Sequence, residues 1–320
     1  MLIRTFTYIM LALSLAAEAR ADTYPKGPVT IIVPFSAGGS VDIVARSIAQ
    51  ALQEKLRQPF VVESRPGASA KVGTAYVARS RPDGYTLLLF SGSHLVNPST
   101  YKDLSYDTLK DFESIGMLGE NANVLLVNPK LGAGNLEELI KLAKSRPGKL
   151  TYGSAGTGGP LHLAAELFKN AAKVDIVHVP YKGTSAMFPD LVSGTIDAAV
   201  VSIPSGLPFI KSGHVKALAV TGAERAPSLP DVPTMMESGL ALQTAVPYGL
   251  VGPAGTPRDV IDRLNKALLE ILDSPAIKQR FAAGEIRPIY ATPEKTAEFI
   301  RTEIERYAHV VKSAGVEPQQ

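Results

Sequence analysis

The sequence has no cysteine and no tryptophan, and its 33 basic and 30 acidic residues nearly cancel. Without cysteine there are no disulfides, no thiolate zinc sites and no cysteine nucleophile. The five histidines, His94, His162, His178, His214 and His309, form no H-x-x-x-H pair, so no metal site and no cofactor are expected. A formal charge of +3, with no run of five or more Lys or Arg, gives no footprint for nucleic acid. Disorder is excluded as well, because 45% of the chain is hydrophobic and the net charge is low. Long apolar runs are scarce: beyond the N-terminus no segment reaches the 18 residues a membrane helix needs.

What is present starts at the N-terminus. Arg4 precedes about twelve mostly apolar residues, Phe6 to Ala17, and Ala19-Arg20-Ala21 is a small-x-small cleavage site ahead of Asp22. Basic start, short apolar core and A-x-A together predict a signal peptide over residues 1–21, hence export to the periplasm. Its removal takes Arg4, Arg20 and Glu18 and leaves a charge of +2. The rest is long enough for two domains of roughly 100–200 residues each.

Apolar β-branched runs alternate with helical periodicity. Val29–Val33, Phe60–Glu63 and Thr86–Phe90 read as strands, and Val41, Val44, Ile48, Leu52 and Leu56 mark one helix face between the first two. The rhythm restarts near Asn121, with strands at Asn123–Val127, Leu150–Tyr152, Asp175–Val179, Asp197–Val201 and Lys216–Thr221. A last strand at Tyr248–Gly252 precedes helices after Pro257 and Pro293. Strand–helix alternation predicts an α/β fold in which each domain is a mostly parallel sheet flanked by helices. No repeat of 20–50 residues appears.

Two loops match in chemistry. Pro34-Phe-Ser-Ala-Gly-Gly-Ser-Val-Asp42 and Tyr152-Gly-Ser-Ala-Gly-Thr-Gly-Gly-Pro-Leu-His162 each join a strand to a helix. Each brings backbone N–H groups and small hydroxyls to a helix N-terminus, which carries about half a positive charge and attracts anions. One such loop in each half suggests a cleft that grips a ligand with an anionic group at each end. Neither loop is a nucleotide P-loop, a G-x-G-x-x-G turn or a G-x-S-x-G elbow, so the chain is not expected to be an enzyme.

Several single residues have two readings each. Asp42 either caps its helix or accepts a hydrogen bond from water or ligand. His94, after Ser91-Gly-Ser, is either a ligand donor or a solvated loop residue. Lys182 adds positive potential or is an ordinary surface lysine; Tyr181 is pocket wall or core. Asp197 starts a strand and serves either structure or the cleft.

These segments, with Arg65-Pro-Gly-Ala68, Arg81-Pro-Asp-Gly-Tyr-Thr86, His178-Val-Pro-Tyr-Lys-Gly183, Leu229-Pro-Asp-Val-Pro-Thr234 and Pro253-Ala-Gly-Thr-Pro257, occur in one order and spacing. In them the chain resembles the extracytoplasmic solute receptors of tripartite tricarboxylate transporters, the Bug receptors. The resemblance covers nearly the whole chain after residue 23. It departs at Ser69-Ala70, where relatives continue with glycines, and at Tyr248, where many carry Trp. It implies a two-domain periplasmic-binding-protein fold, type II-like, with the ligand in the cleft between domains. Residues 22–121 plus 248–320 would form the first domain and 122–247 the second. The resemblance also implies a monomer that takes a small carboxylate and hands it to the membrane permease subunits.

The expected ligand residues are Phe35, Ser36, Ala37, Gly38, Gly39, Ser40 and Asp42 of the first loop, and Ser91 and His94. From the second half come Ser154, Ala155, Gly156, Thr157, Gly158, Gly159, His162, Tyr181, Lys182 and Asp197. The scarcity of Trp and Arg near the loops favours a small dicarboxylate, captured by hinge closure. The alternatives are a periplasmic accessory of a signalling kinase, or a secreted α/β hydrolase that would need a serine beside a reachable histidine.

Overall fold

The computed structural model describes residues 24–38 and 40–319. The expected signal peptide and Gly39 lie outside the described residues. The strands are β1 (Val29–Val33), β2 (Phe60–Ser64), β3 (Thr86–Phe90), β4 (Phe112–Val127), β5 (Thr151–Ser154), β6 (Val177–Pro180), β7 (Ala198–Ser202), β8 (Lys216–Val220), β9 (Ala245–Pro253) and β10 (Ile286–Pro288). The helices are α1 (Ser40–Leu56), α2 (Lys71–Ala78), α3 (Gly92–Thr100), α4 (Leu136–Ser145), α5 (Pro160–Ala172), α6 (Thr184–Ser193), α7 (Ile203–Lys211), α8 (Arg258–Leu272), α9 (Pro275–Ala283) and α10 (Pro293–Ser313).

The strands join in the order β2-β1-β3-β9-β4-β7-β5-β6, with β8 and β10 also pairing with β4. Among the named strands, parallel pairing falls in two wings, β2-β1-β3 and β7-β5-β6. The centre, formed by β9, β4 and β7, is antiparallel, which strand–helix alternation does not predict. One strand spans both wings. Residues 112–122 of β4 pair with β9, and Asn123–Val127 pair with β7.

Following the pairings fixes the strand directions. β1 runs parallel to β3, β3 antiparallel to β9, and β9 antiparallel to β4, so β1 and β4 point the same way. β7 is antiparallel to β4 and parallel to β5, so β5 points the other way. The C-terminal ends of β1 and β5 therefore both aim at the middle of β4, one from each wing.

Four apolar clusters cover the faces of the sheet. One joins α1, α8 and α9 to β1 through Ile48, Leu264 and Phe281; a second joins α3 and α10 to β3 through Leu95, Tyr307 and Phe90. The other two lie on the second wing, around Leu139 and Phe168 and around Phe188 and Leu191. Leu163 of α5 inserts into the α3–α10 cluster and ties the wings together.

Candidate functional site

The first loop leaves β1 at Pro34 and turns through Gly38, whose φ of +84° is strain-free only for glycine. Ser36, Ala37, Gly38 and Ser40 are exposed and Phe35 is half-buried. Below them Asp42, in the first turn of α1, is buried; its Oδ2 accepts from the Gly38 N–H (3.0 Å) and from Arg46 Nε (2.8 Å). Its other oxygen, Oδ1, is buried with no partner among the described residues. The Arg46 hydrogen bond, aided by the Gly38 N–H, holds the carboxyl below the usual carboxylate range against the opposing effect of burial. Asp42 thus braces the loop from its own helix. The Ser40 hydroxyl reaches the Tyr248 phenol, which donates to Asn121 Oδ1 (2.6 Å) on β4.

The second loop leaves β5 at Ser154, which is buried. Gly156 (φ +136°) and Gly158 (φ +75°) take turns open only to glycine, and Gly159 starts α5 with no side-chain cap. Ala155 and Thr157 are exposed. Beneath the loop the Gly158 N–H donates to His162 Nδ1 (3.0 Å), and His162 stacks on His178 with ring centres 3.9 Å apart. Tyr152 stacks on His178 in turn (5.0 Å) and donates to Glu166 Oε1 (2.5 Å), which also accepts from Lys169 (2.7 Å). Burial, with His178 adding to it, lowers the His162 pKa to about 4, so its Nδ1 stays free to accept.

Ser154 Oγ lies 2.7 Å from His178 Nε2. A consistent assignment gives the serine proton to the Gly156 carbonyl (3.1 Å) and lets the oxygen accept from Nε2–H and from the Gly156 N–H (3.3 Å). The hydrolase reading asks for such a Ser–His contact. Here the oxygen is buried and turned into its own loop, and Glu166 lies near His162, 4.0 Å away, rather than orienting His178. The arrangement stiffens the loop instead of presenting a nucleophile.

Of the other expected residues, Ser91 is buried at the start of α3, beside the second loop, where the next residue, Gly92, packs on Pro160. Tyr181 follows β6; its N–H donates to the Ser154 carbonyl (3.0 Å) and its hydroxyl to Asp190 (2.6 Å). Burial and that carboxylate push the phenol up to about 12. Lys182 is exposed next to it. Two expectations need correcting. His94 is neither solvated nor at the loops: its ring, 2% exposed, sits between Phe90 and Phe112 with neither nitrogen partnered among the described residues, and burial drops its pKa to about 3. Asp197 lies at the opposite end of β5 from the glycine loop, where its carboxylate accepts from the Thr151 N–H (2.8 Å) and hydroxyl (3.1 Å).

The structure adds residues to the second loop: Ser93, Asn97, Tyr101 and Gln319, which the sequence did not single out, and Ser69, which it marked as a departure from the family pattern. A cavity of about 270 Å³ adjoins the second loop between Ala155–Pro160 and Ser69, Ser93, Asn97, Tyr101 and Gln319. The C-terminal tail reaches it through Gln319, whose N–H donates to the Thr100 carbonyl (2.8 Å) and whose carbonyl accepts from Lys102 (2.9 Å). Ala68, Ser69 and Ala70 are all left-handed (φ +46°, +53° and +75°), each at a cost of about 1 kcal/mol. A second, more apolar cavity of about 320 Å³ lies across the middle of β4, between Ala223–Pro227 and Glu285–Pro288; none of the expected residues lines it.

Comparison with known proteins places this architecture. Residues 44–316 match the model of the tripartite tricarboxylate transporter family receptor. The protein BugT of Bordetella pertussis is 40% identical over 304 residues, spanning 94% of this chain and 93% of that protein. The solved structure of the periplasmic binding protein BugD is 35% identical with a TM-score of 0.74, covering 92% of this chain and all of that one. R. palustris Rpa4515, solved with adipate, is 33% identical with a TM-score of 0.78, covering 93% of this chain and all of that one.

Proposed function

The chain belongs to the tripartite tricarboxylate transporter receptor family, and on that premise we propose that it is a periplasmic receptor that captures a small carboxylate between its two glycine loops and passes it to membrane permease subunits. The reading rests on one observation: β1 and β5 run in opposite directions, so both loops converge on the middle of β4 from opposite wings. Each brings backbone N–H groups, small hydroxyls and a helix N-terminus, which is what an anion needs. The ligand contacts are assigned to Ser36–Ser40 and Ser154–Gly159.

A ligand that bridges the loops must hold the wings together, so binding closes the molecule about β4. The division that goes with this motion has residues 22–121 and 248–320 in one domain and 122–247 in the other. An acid with a carboxylate at each end satisfies both loops, and a relative's structure with adipate is in keeping with a dicarboxylate. With dipoles and hydroxyls in place of a bidentate Arg, the grip is firm and still allows release. The predicted export signal and the description of BugD agree with the periplasm, and the protein is expected to act as a monomer.

A thermal-shift screen over aliphatic, aromatic and amino-acid anions tests the reading. The expected hit stabilises the protein by about 1–4 kcal/mol at saturating excess. Silence across all three classes sinks it.

A further inference from the structure

Ser69 keeps a side chain where the backbone asks for none. It sits at φ +53° between two other left-handed residues, a conformation glycine adopts without strain. Its neighbours hold it there. Asn97 Nδ2 donates to the Ser69 carbonyl (2.9 Å), and the Tyr101 hydroxyl donates to Ser69 Oγ (3.0 Å). Tyr101 is itself fixed, with Lys71 Nζ 3.7 Å above its ring and Gln319 bridged to its backbone. Since Ser69 Oγ accepts from Tyr101, its own proton points elsewhere, and Ser69 lines the cavity beside Ala155–Pro160. Strain retained beside a binding loop, with a hydroxyl as its one product, calls for a use of that hydroxyl.

Among the described residues the cavity wall carries hydroxyl and carboxamide groups and no Asp, Glu, Lys, Arg or His. Away from the backbone N–H groups of the second loop this wall offers neutral donors, and a neutral oxygen placed against Ser69 would find one. We propose that Ser69, oriented by Tyr101, is a specificity-determining residue that reads an uncharged oxygen, a hydroxyl or carbonyl, on the body of an acid whose carboxylate lies in the second glycine loop. This deepens the receptor reading and rests on it.

The test uses two matched pairs of acids, succinate with malate and benzoate with 4-hydroxybenzoate, titrated by calorimetry into the protein and three variants. In at least one pair the hydroxylated member binds at least about fivefold tighter, the worth of one neutral hydrogen bond. Ser69→Gly and Tyr101→Phe bring that ratio to within about twofold of one. Ala70→Gly, which relieves the same kind of backbone strain without touching the cavity, leaves the ratio unchanged. Without ligand, Ser69→Gly melts no lower than the parent, which separates lost recognition from lost folding. A ratio equal in Ser69→Gly and the parent overturns the inference. So does the absence of preference in both pairs while other acids in the thermal-shift screen bind. If the whole screen is silent, the receptor reading falls first and this inference with it.

Discussion

The two glycine loops, to which the proposed function gives one job, stand on different foundations. The first rests on a carboxylate: Asp42, ionised and paired with Arg46, pulls Gly38 down from within the same helix. The second rests on a stack of rings: neutral His162 accepts from Gly158 and lies on His178, which lies on Tyr152. A carboxylate bonded only within its own loop and helix is local and cheap to replace. A buried stack couples the loop to β5, β6 and α5 at once, so damage there spreads. The similar loop sequences hide this asymmetry, and the molecule should break first on the second loop.

The largest effect is expected from His162→Phe. Phenylalanine keeps the stack on His178 but offers no acceptor, so the buried Gly158 N–H loses its partner. That costs about 1–3 kcal/mol, measured by urea unfolding followed by circular dichroism, with ligand affinity falling about tenfold. An unchanged affinity would mean that the stack does not shape the loop. Acid should act on the same bond. His162 titrates near pH 4 when folded and near 6.5 when unfolded, so between these values the unfolded chain binds more protons and stability falls as pH falls. Buried His94 adds a loss of the same sign, away from the loops. Affinity separates the two. The parent's advantage over His162→Phe should hold above pH 6.5 and shrink as pH approaches 4, and the acid's own titration cancels in that ratio. A constant ratio down to pH 4 would show that the imidazole does not act as an acceptor.

Asp42 comes next. Its folded pKa lies below its unfolded value, so its support persists as pH falls through the histidine range and is lost only below the usual carboxylate range. Asp42→Asn keeps an oxygen for the Gly38 N–H and should cost affinity only a few-fold. Asp42→Ala removes it and should lower stability by about 1 kcal/mol, the worth of a helix cap. If Asp42→Ala outweighs His162→Phe, the order of the two foundations is reversed.

What the sequence disclosed follows from what is local. The strand at Thr86–Phe90 and the helix beginning at Ser40 are set by apolar runs and periodicity, and the structure starts both where the pattern does. The glycine loops were visible because left-handed turns need glycine at Gly38 and Gly158. The first two-thirds of β4 were not. Gly119 has its backbone against Arg287, and buried Glu120 is paired with the Arg287 side chain (2.5 Å), so the segment lacks an apolar signature. α3 was hidden by Pro98 within it. His94 looked like a loop residue because its helix was missed, and its Phe partners come from two other elements. His178 carried no sign that it would lie under the second loop until β6 was seen to pair with β5, setting it opposite Tyr152. Ser69 stood out as a departure from the family's glycines, but its place beside the second loop, like that of Gln319, depends on contacts far apart in the sequence.

The smallest effect sharpens the comparison most. Arg46 is 57% exposed and contacts Asp42 across one helical turn, the geometry in which ion pairs contribute least. If the first loop is held by the bond from Gly38 to Asp42, the arginine only tunes a carboxylate that would be ionised anyway. Arg46→Ala should then change affinity by less than about twofold, and the difference should vanish in 0.5 M salt, where exposed charges are screened within about 4 Å. A tenfold loss that salt abolishes would mean that the first loop is positioned by charge reaching in from solvent. The two loops would then differ in kind, one screened by the medium and one sealed from it, and the receptor's grip should weaken with ionic strength at one end only.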